Sequence, residues 1–275
     1  MQALYQVESL AASDGWTPSR LRLAGEIWQQ MGFPSLAVTY WEAAADPTLA
    51  RHLAESYMAL QRWPEAVTAL ETWLQITPDD TWAHYHLGLL RAAFDPAAAQ
   101  RHLQQAAAEP GAKAVLAALA SAPPNDQAMA VGLALAETGL WGYAEIAFQH
   151  AADLNPPYPE ALAYAGLARD QQGKDGRALV AQAAALAPQN AQVHYLQGLH
   201  RRRSGDAVGS LQAFQAAAAL APLNPAYAAE VGETYRLLDD LASAQAWLER
   251  AVTLSNDDPR FRQLLDDFYA GLPGN

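Results

Sequence analysis

Residues 191–224, AQVHYLQGLHRRRSGDAVGSLQAFQAAAALAPLN, and residues 225–258, PAYAAEVGETYRLLDDLASAQAWLERAVTLSNDD, decide the fold because the second repeats the first at a spacing of 34 residues. Gly198, Gly205, Phe214, Ala217 and Pro222 in the first align with Gly232, Asp239, Leu248, Ala251 and Asn256 in the second. A period of this length marks small units that cannot bury their apolar faces alone and therefore stack on one another.

The pattern runs backwards along the chain. It recurs through Gly132, Leu135, Gly139, Trp141, Ala144, Phe148, Ala151 and Pro156, and through Leu53, Ala54, Tyr57, Trp63, Ala66, Leu70 and Pro78. Seven units follow, beginning near Pro18, Pro47, Thr81, Asn125, Pro159, Ala191 and Pro225. In each, small residues at the Gly and Ala positions mark where a first helix A crosses a second helix B, leaving room for Phe148 or Phe214 to interlock. Stop and start signals agree: Gly139, Gly173 and Gly205 suit left-handed helix ends. Asp79, Asp80, Asn125, Asn224 and Asp257 suit helix starts, and prolines 47, 78, 156, 188, 222 and 225 fall between units.

These residues resemble the tetratricopeptide repeat family, and the resemblance covers most of the chain. It implies an all-α, right-handed solenoid of antiparallel helix pairs. The expected organisation is an N-terminal helix at 1–15, units one to three at 18–110, an inserted helix or bend at 111–124, units four to seven at 125–258, and a capping helix at 259–275. Unit one reaches Asp46-Pro47 early, and unit five is shortened by two around Gly173-Lys174-Asp175-Gly176. The segment Ala112 through Ala120 reads as a single extra helix: a degenerate unit, a bend between two blocks, or a helix folded into the groove. At the C-terminus Phe261, Leu264, Leu265, Phe268 and Tyr269 lie on one side of a helix, as a solenoid cap requires.

Composition agrees with an all-α reading. Hydrophobic residues make up 51% of the chain. Ala dominates them, and it costs a helix no side-chain entropy and lets backbones approach. With 0 cysteines, disulfides and thiolate chemistry are excluded, and a zinc site would need His and carboxylates alone. Residues 1–15 carry Glu8 and Asp14 with no basic leader, which reads as a folded helix, and no window reaches the roughly 18 to 20 apolar residues of a membrane span. A cytoplasmic location is expected. The net charge of −12 repels polyphosphate, so nucleic acid is not expected as a partner.

Catalytic patterns are missing: there is no nucleophile elbow, no phosphate-cradling Gly-rich loop with its Lys, and no His-Glu-x-x-His. Neither an enzyme nor a cofactor is expected. His84 and His86 point to different helix faces, His84 and His194 occupy the repeat's packed Trp position, and His102, His150 and His200 have no local partner, so no metal site is expected. The acidic pairs 79–80, 239–240 and 257–258 lie where carboxylates offset helix dipoles, and the pair 266–267 has no catalytic context. The run His200-Arg201-Arg202-Arg203 either complements a helix C-terminus or grips an anion.

In proteins this chain resembles, positions 2, 5, 9, 12 and 13 of each A helix face a concave groove. Here those positions hold Arg22, Glu26, Gln29, Arg51, Glu55 and Met58 in the first units and Trp82, Tyr85, Leu89, Met129 and Leu133 in the middle. The last units add Leu167, Asp170, Tyr195, Leu199, Arg202, Arg203, Glu233 and Arg236. Trp82 exposes a large apolar plane unless a neighbouring B helix or the 111–124 segment covers it. Family members that clamp chaperone C-termini carry Asn at position 9, where this chain has Glu or Leu, so that clamp is absent. The implied function is a scaffold binding an apolar or amphipathic protein segment in the groove. The alternatives are a structural subunit that docks or self-associates, and a receptor for a signalling peptide.

Overall fold

The structure, a computed structural model, describes residues 2–272; Met1 and residues 273–275 of the expected terminal elements lie outside the described residues. The chain packs as two compact units, Met1–Thr138 and Gly139–Asn275. The first holds α1 (Gln2–Asp14), α2 (Pro18–Gln30), α3 (Pro34–Ala44), α4 (Ala50–Ala59), α5 (Trp63–Ile76), α6 (Thr81–Arg91), α7 (Pro96–Gln105), α8 (Pro110–Ser121) and α9 (Gln127–Glu137). The second holds α10 (Trp141–Leu154), α11 (Pro159–Gln171), α12 (Arg177–Leu186), α13 (Ala191–Arg203), α14 (Ala207–Leu220), α15 (Pro225–Leu237), α16 (Leu241–Leu254) and α17 (Pro259–Ala270). Short 3-10 turns at Pro47–Leu49 and Pro124–Asp126 precede α4 and α9.

Within the first unit α2 packs on α3, α4 on α5, α6 on α7 and α8 on α9; within the second α13 packs on α14 and α15 on α16. Contacts also join alternate helices, α6 with α8, α11 with α13 and α15 with α17. The segment read as a lone extra helix therefore has a partner. Gly111, Ala112, Val115 and Leu119 bury one face of α8, and α9 folds back on it while α10 pairs with α11.

The Gly positions do what the period implies. A Cβ built on Gly198 would stand 2.5 Å from the Phe214 ring, and one on Gly232 would stand 2.8 Å from Leu248, so α13 meets α14 and α15 meets α16 where only a hydrogen fits. Phe214 and Leu248 are wholly buried there, each contributing about 1.5 to 3 kcal/mol through lost apolar exposure. Trp41 fills the equivalent place against Gly25, and its indole N–H donates to the Arg22 carbonyl at 3.2 Å, so the largest core side chain leaves no polar atom unpaired.

Helix ends follow local chemistry. Gly139, Gly173 and Gly205 adopt φ of +77°, +74° and +81°, and Asp239 takes the same turn at +62° in place of glycine. Asp80 and Asn224 cap α6 and α15 as expected. Two expected starts differ: Asn125 lies within the 3-10 turn before α9, and Asp257 turns left-handed, leaving Asp258 to cap α17 through Arg260 N at 2.9 Å. In α17, Phe268 is buried against Ala244 and Leu248.

Candidate functional site

The expected groove positions fall on both compact units. On α2, Arg22 pairs with Glu26 at 3.0 Å, while Gln29 accepts from Ser56 of α4 at 3.1 Å. On α4, Arg51 pairs with Glu55 at 3.3 Å and with Asp80 at 3.1 Å, and its guanidinium lies 4.6 Å above the Trp82 ring. Asp80 also accepts from the Trp73 indole at 2.8 Å. Burial pulls the Asp80 pKa upward, but the Trp73, Ala83 and Arg51 interactions outweigh it and hold the carboxyl below its ordinary value. The charged half of the expected surface is thus tied together by polar contacts from α2 to α6.

Around Trp82 two outcomes were open, exposed or covered. The structure makes it half-buried, with Tyr85 and His86 beside it on α6. The His86 ring stands 4.8 Å from Trp82 and 5.1 Å from Tyr85, steeply inclined to both. These rings, with Thr81 and the Glu109 that precedes α8, line a cavity of about 330 Å3. Burial, with Arg51 nearby, lowers the His86 pKa to about 4, so the imidazole is neutral at pH 7. Burial and the Glu109 charge push the Tyr85 hydroxyl upward.

Leu89 is a correction. Expected to face the groove, it is only 3% exposed, one of a buried run from Leu87 to Leu90. With α5, α7 and α8 all packed on α6, Leu89 is covered with its neighbours Leu87 and Leu90. Met129 and Leu133 are half-buried on α9, which packs on α8.

In the second unit Leu167, Tyr195 and Leu199 are half-buried and pack together over Ala163, Ala183, Val193 and Leu196. Tyr195 meets Tyr227 of α15 at 5.2 Å and Phe214 at 5.8 Å, and burial raises its hydroxyl to about 12. Gln192 bridges three successive A helices: its amide donates to Tyr164 Oη at 2.9 Å and its carbonyl accepts from Tyr227 Oη at 2.8 Å. Glu233 pairs with Arg236 at 2.7 Å on α15.

The basic run is absorbed by the fold. His200 pairs with Asp170 at 2.6 Å, Arg201 donates to the Gly209 carbonyl, Arg202 pairs with Glu230 at 2.5 Å, and Arg203 donates to the Asp170 carbonyl and to Gln171. The two histidines at the Trp position do the same structural job, since His84 and His194 reach back to the carbonyls of Pro78 and Pro188 at 2.8 and 2.9 Å. His102, expected without a partner, meets the other nitrogen of His84 at 2.8 Å across α6 and α7. Among the described residues no group of three His, Asp or Glu comes together as a metal would require, and none of the described helices is long and apolar enough to cross a membrane.

Two features have no counterpart in the sequence pattern. A cavity of about 360 Å3 opens between α3, α4 and α5, lined by Trp41, Leu53, Tyr57 and Ala69 and rimmed by Glu42 and Glu65. Tyr57 Oη donates to Glu42 there at 2.7 Å. In the second unit the buried Glu145 of α10 collects Arg169, Lys174 and Gln172 at 3.2, 2.8 and 2.8 Å. Both arise between separate helices, where period alone carries no signal.

No protein-family model and no curated protein matches the sequence. Among solved structures the chain is similar to residues 41-end of MamA from Desulfovibrio magneticus RS-1, at 19% identity and a TM-score of 0.40, over 77% of this chain and 96% of that one. It is similar to YrrB, described as a TPR protein with an unusual peptide-binding site, at 13% identity and 0.43, over 72% and 98%. It is also similar to a chain of the APC/C Cut9-Hcn1 hetero-tetramer, at 15% identity and 0.48, over 99% and 50%. These are likenesses of fold. With its 34-residue period realised as interlocked pairs of antiparallel helices, the chain has the fold of the tetratricopeptide repeat proteins.

Proposed function

We propose that the chain is a scaffold that holds a segment of another protein against its A helices. The observation that carries this is the half-exposed aromatic and aliphatic surface those helices present: Trp82 and Tyr85 around an open cavity in the first unit, and Leu167, Tyr195 and Leu199 in the second. Side chains of this kind, on rigid helices already locked by packing, gain contact area on binding while losing little conformational entropy. Ion pairs such as Arg22–Glu26 and Arg51–Asp80 flank the first surface with charge that can orient a partner without dominating affinity. The net charge of −12 disfavours nucleic acid as that partner. The test is affinity capture from native lysate with a Trp82→Glu, Leu133→Asp variant as control. Loss of the partner with helical circular dichroism unchanged supports the reading, and full retention overturns it.

Docking by an edge is a second reading, favoured by one observation. Leu154, Leu186 and Leu220, at the C-terminal ends of α10, α12 and α14, are 53%, 48% and 38% exposed, and Leu223, which follows α14, is 79% exposed. Aliphatic side chains left in water at the same end of successive helices form a surface that association would cover. Light scattering over a range of concentrations separates the two readings, because a strictly monomeric species argues against self-assembly.

A further inference from the structure

We propose that the cavity on α6 receives one cationic side chain, a lysine or arginine of the bound segment, and so selects which segments the scaffold holds; this deepens the scaffold reading and rests on it. Three aromatic rings and one carboxylate surround the space: Trp82, Tyr85 and His86 supply the rings and Glu109 the charge, around about 330 Å3. That volume accommodates a lysine or arginine side chain. Aromatic faces attract a cation through their quadrupole, and a carboxylate at the same mouth completes its neutralisation. An apolar occupant would instead strip water from Glu109 and return nothing to it.

Two observations strengthen the choice. The Trp82 ring already holds a cation on its surface, since the Arg51 guanidinium stands 4.6 Å from its centroid. That guanidinium is itself neutralised by Asp80 at 3.1 Å and Glu55 at 3.3 Å, so it leaves little uncompensated positive charge beside the cavity. Glu109, by contrast, forms no ion pair with any described residue and is exposed to solvent. His86, held neutral by burial, adds an aromatic wall without repelling a cation.

The experiment uses the full chain labelled with 15N and two small probes of nearly equal length, N-acetyl-lysine amide and N-acetyl-norleucine amide, which differ in the terminal ammonium. The Trp82 indole N–H resonance, assigned by its loss in Trp82→Phe, reports occupancy. The lysine probe is expected to shift it at millimolar concentration and to bind about fivefold more tightly than norleucine, the size of one exposed cation–aromatic and carboxylate contact. Glu109→Gln is expected to weaken the lysine probe about threefold and leave norleucine unchanged. Equal binding of both probes overturns the cationic assignment while leaving a scaffold with an apolar pocket. Failure of the lysine probe to move Trp82, or lysine binding indifferent to Glu109→Gln, also overturns it. The scaffold reading falls separately, through retained partner capture by the Trp82→Glu, Leu133→Asp variant.

Discussion

Gly198 carries much of the packing of its unit by having no side chain. A valine there would drive its Cβ to within 2.5 Å of Phe214, an overpacking that costs about 1 to 3 kcal/mol. Because glycine inside a helix is itself unfavourable by about 1 kcal/mol, the milder Gly198→Ala tests the balance. Gly198→Val is expected to lower the urea midpoint clearly, and Gly198→Ala combined with Phe214→Leu to lose less than the two single changes summed. A Gly198→Val variant as stable as the parent would contradict the close approach. At the same scale, His86 has a folded pKa of about 4 against an ordinary 6.5. The folded protein therefore keeps this ring neutral while the unfolded chain takes up a proton. Its contribution is complete above about pH 6.5 and is lost as pH falls toward 4, by about 2 kcal/mol between pH 7 and 5. Burial and the neighbouring His84 lower His102 as well, so it adds in the same direction. Urea titrations at the two pH values check this, and His86→Phe is expected to flatten the difference. The small-residue positions and the caps at Asp80 and Asn224 were legible in sequence, because each acts on neighbours a few residues away or at a fixed period. The His86 shift was not, because it depends on which helices cover the ring.

Elements pair according to which faces remain apolar after the first contact is made. Within the first unit α9 packs on α8, whose Val115 and Leu119 give it an apolar face. The 111–124 segment looked odd because its Ala-rich helix lacks the Gly and aromatic landmarks of the period, while its packing needs only a small-residue face. Between α10 and α11 a polar network accompanies the stacking of Phe148 on Tyr164. Glu145, 7% exposed, faces Arg169, Lys174 and Gln172. Removing its side chain takes away the acceptor that two cations and an amide share, so Glu145→Ala is expected to destabilise the second unit by about 3 kcal/mol. Hydrogen exchange along α10, α11 and the turn between α11 and α12 locates the effect, and protection unchanged there would count against the network. Glu145→Gln, which keeps the shape and loses the charge, is expected to fall between the parent and Glu145→Ala.

For the molecule as a whole, a net charge of −12 and a proposed cationic anchor predict a partner segment that binds less tightly as salt rises. Capture measured at about 50 and 300 mM salt is expected to weaken severalfold, and affinity indifferent to salt would favour a purely apolar contact. Residue order alone was enough for the all-α class, the period, the crossings at glycine and alanine, and the Arg and Glu positions along the A helices. All of these depend on residue type at a spacing the helix imposes. Three outcomes needed the packed molecule: Leu89 is buried while Trp82 and Tyr85 stay half-exposed, the His200 to Arg203 run is consumed by Asp170, Gly209 and Glu230, and Glu109 borders an aromatic cavity. The reason is physical: exposure is set by how many neighbours a helix acquires. For α6 those neighbours are α5, α7 and α8, and no pattern within α6 counts them.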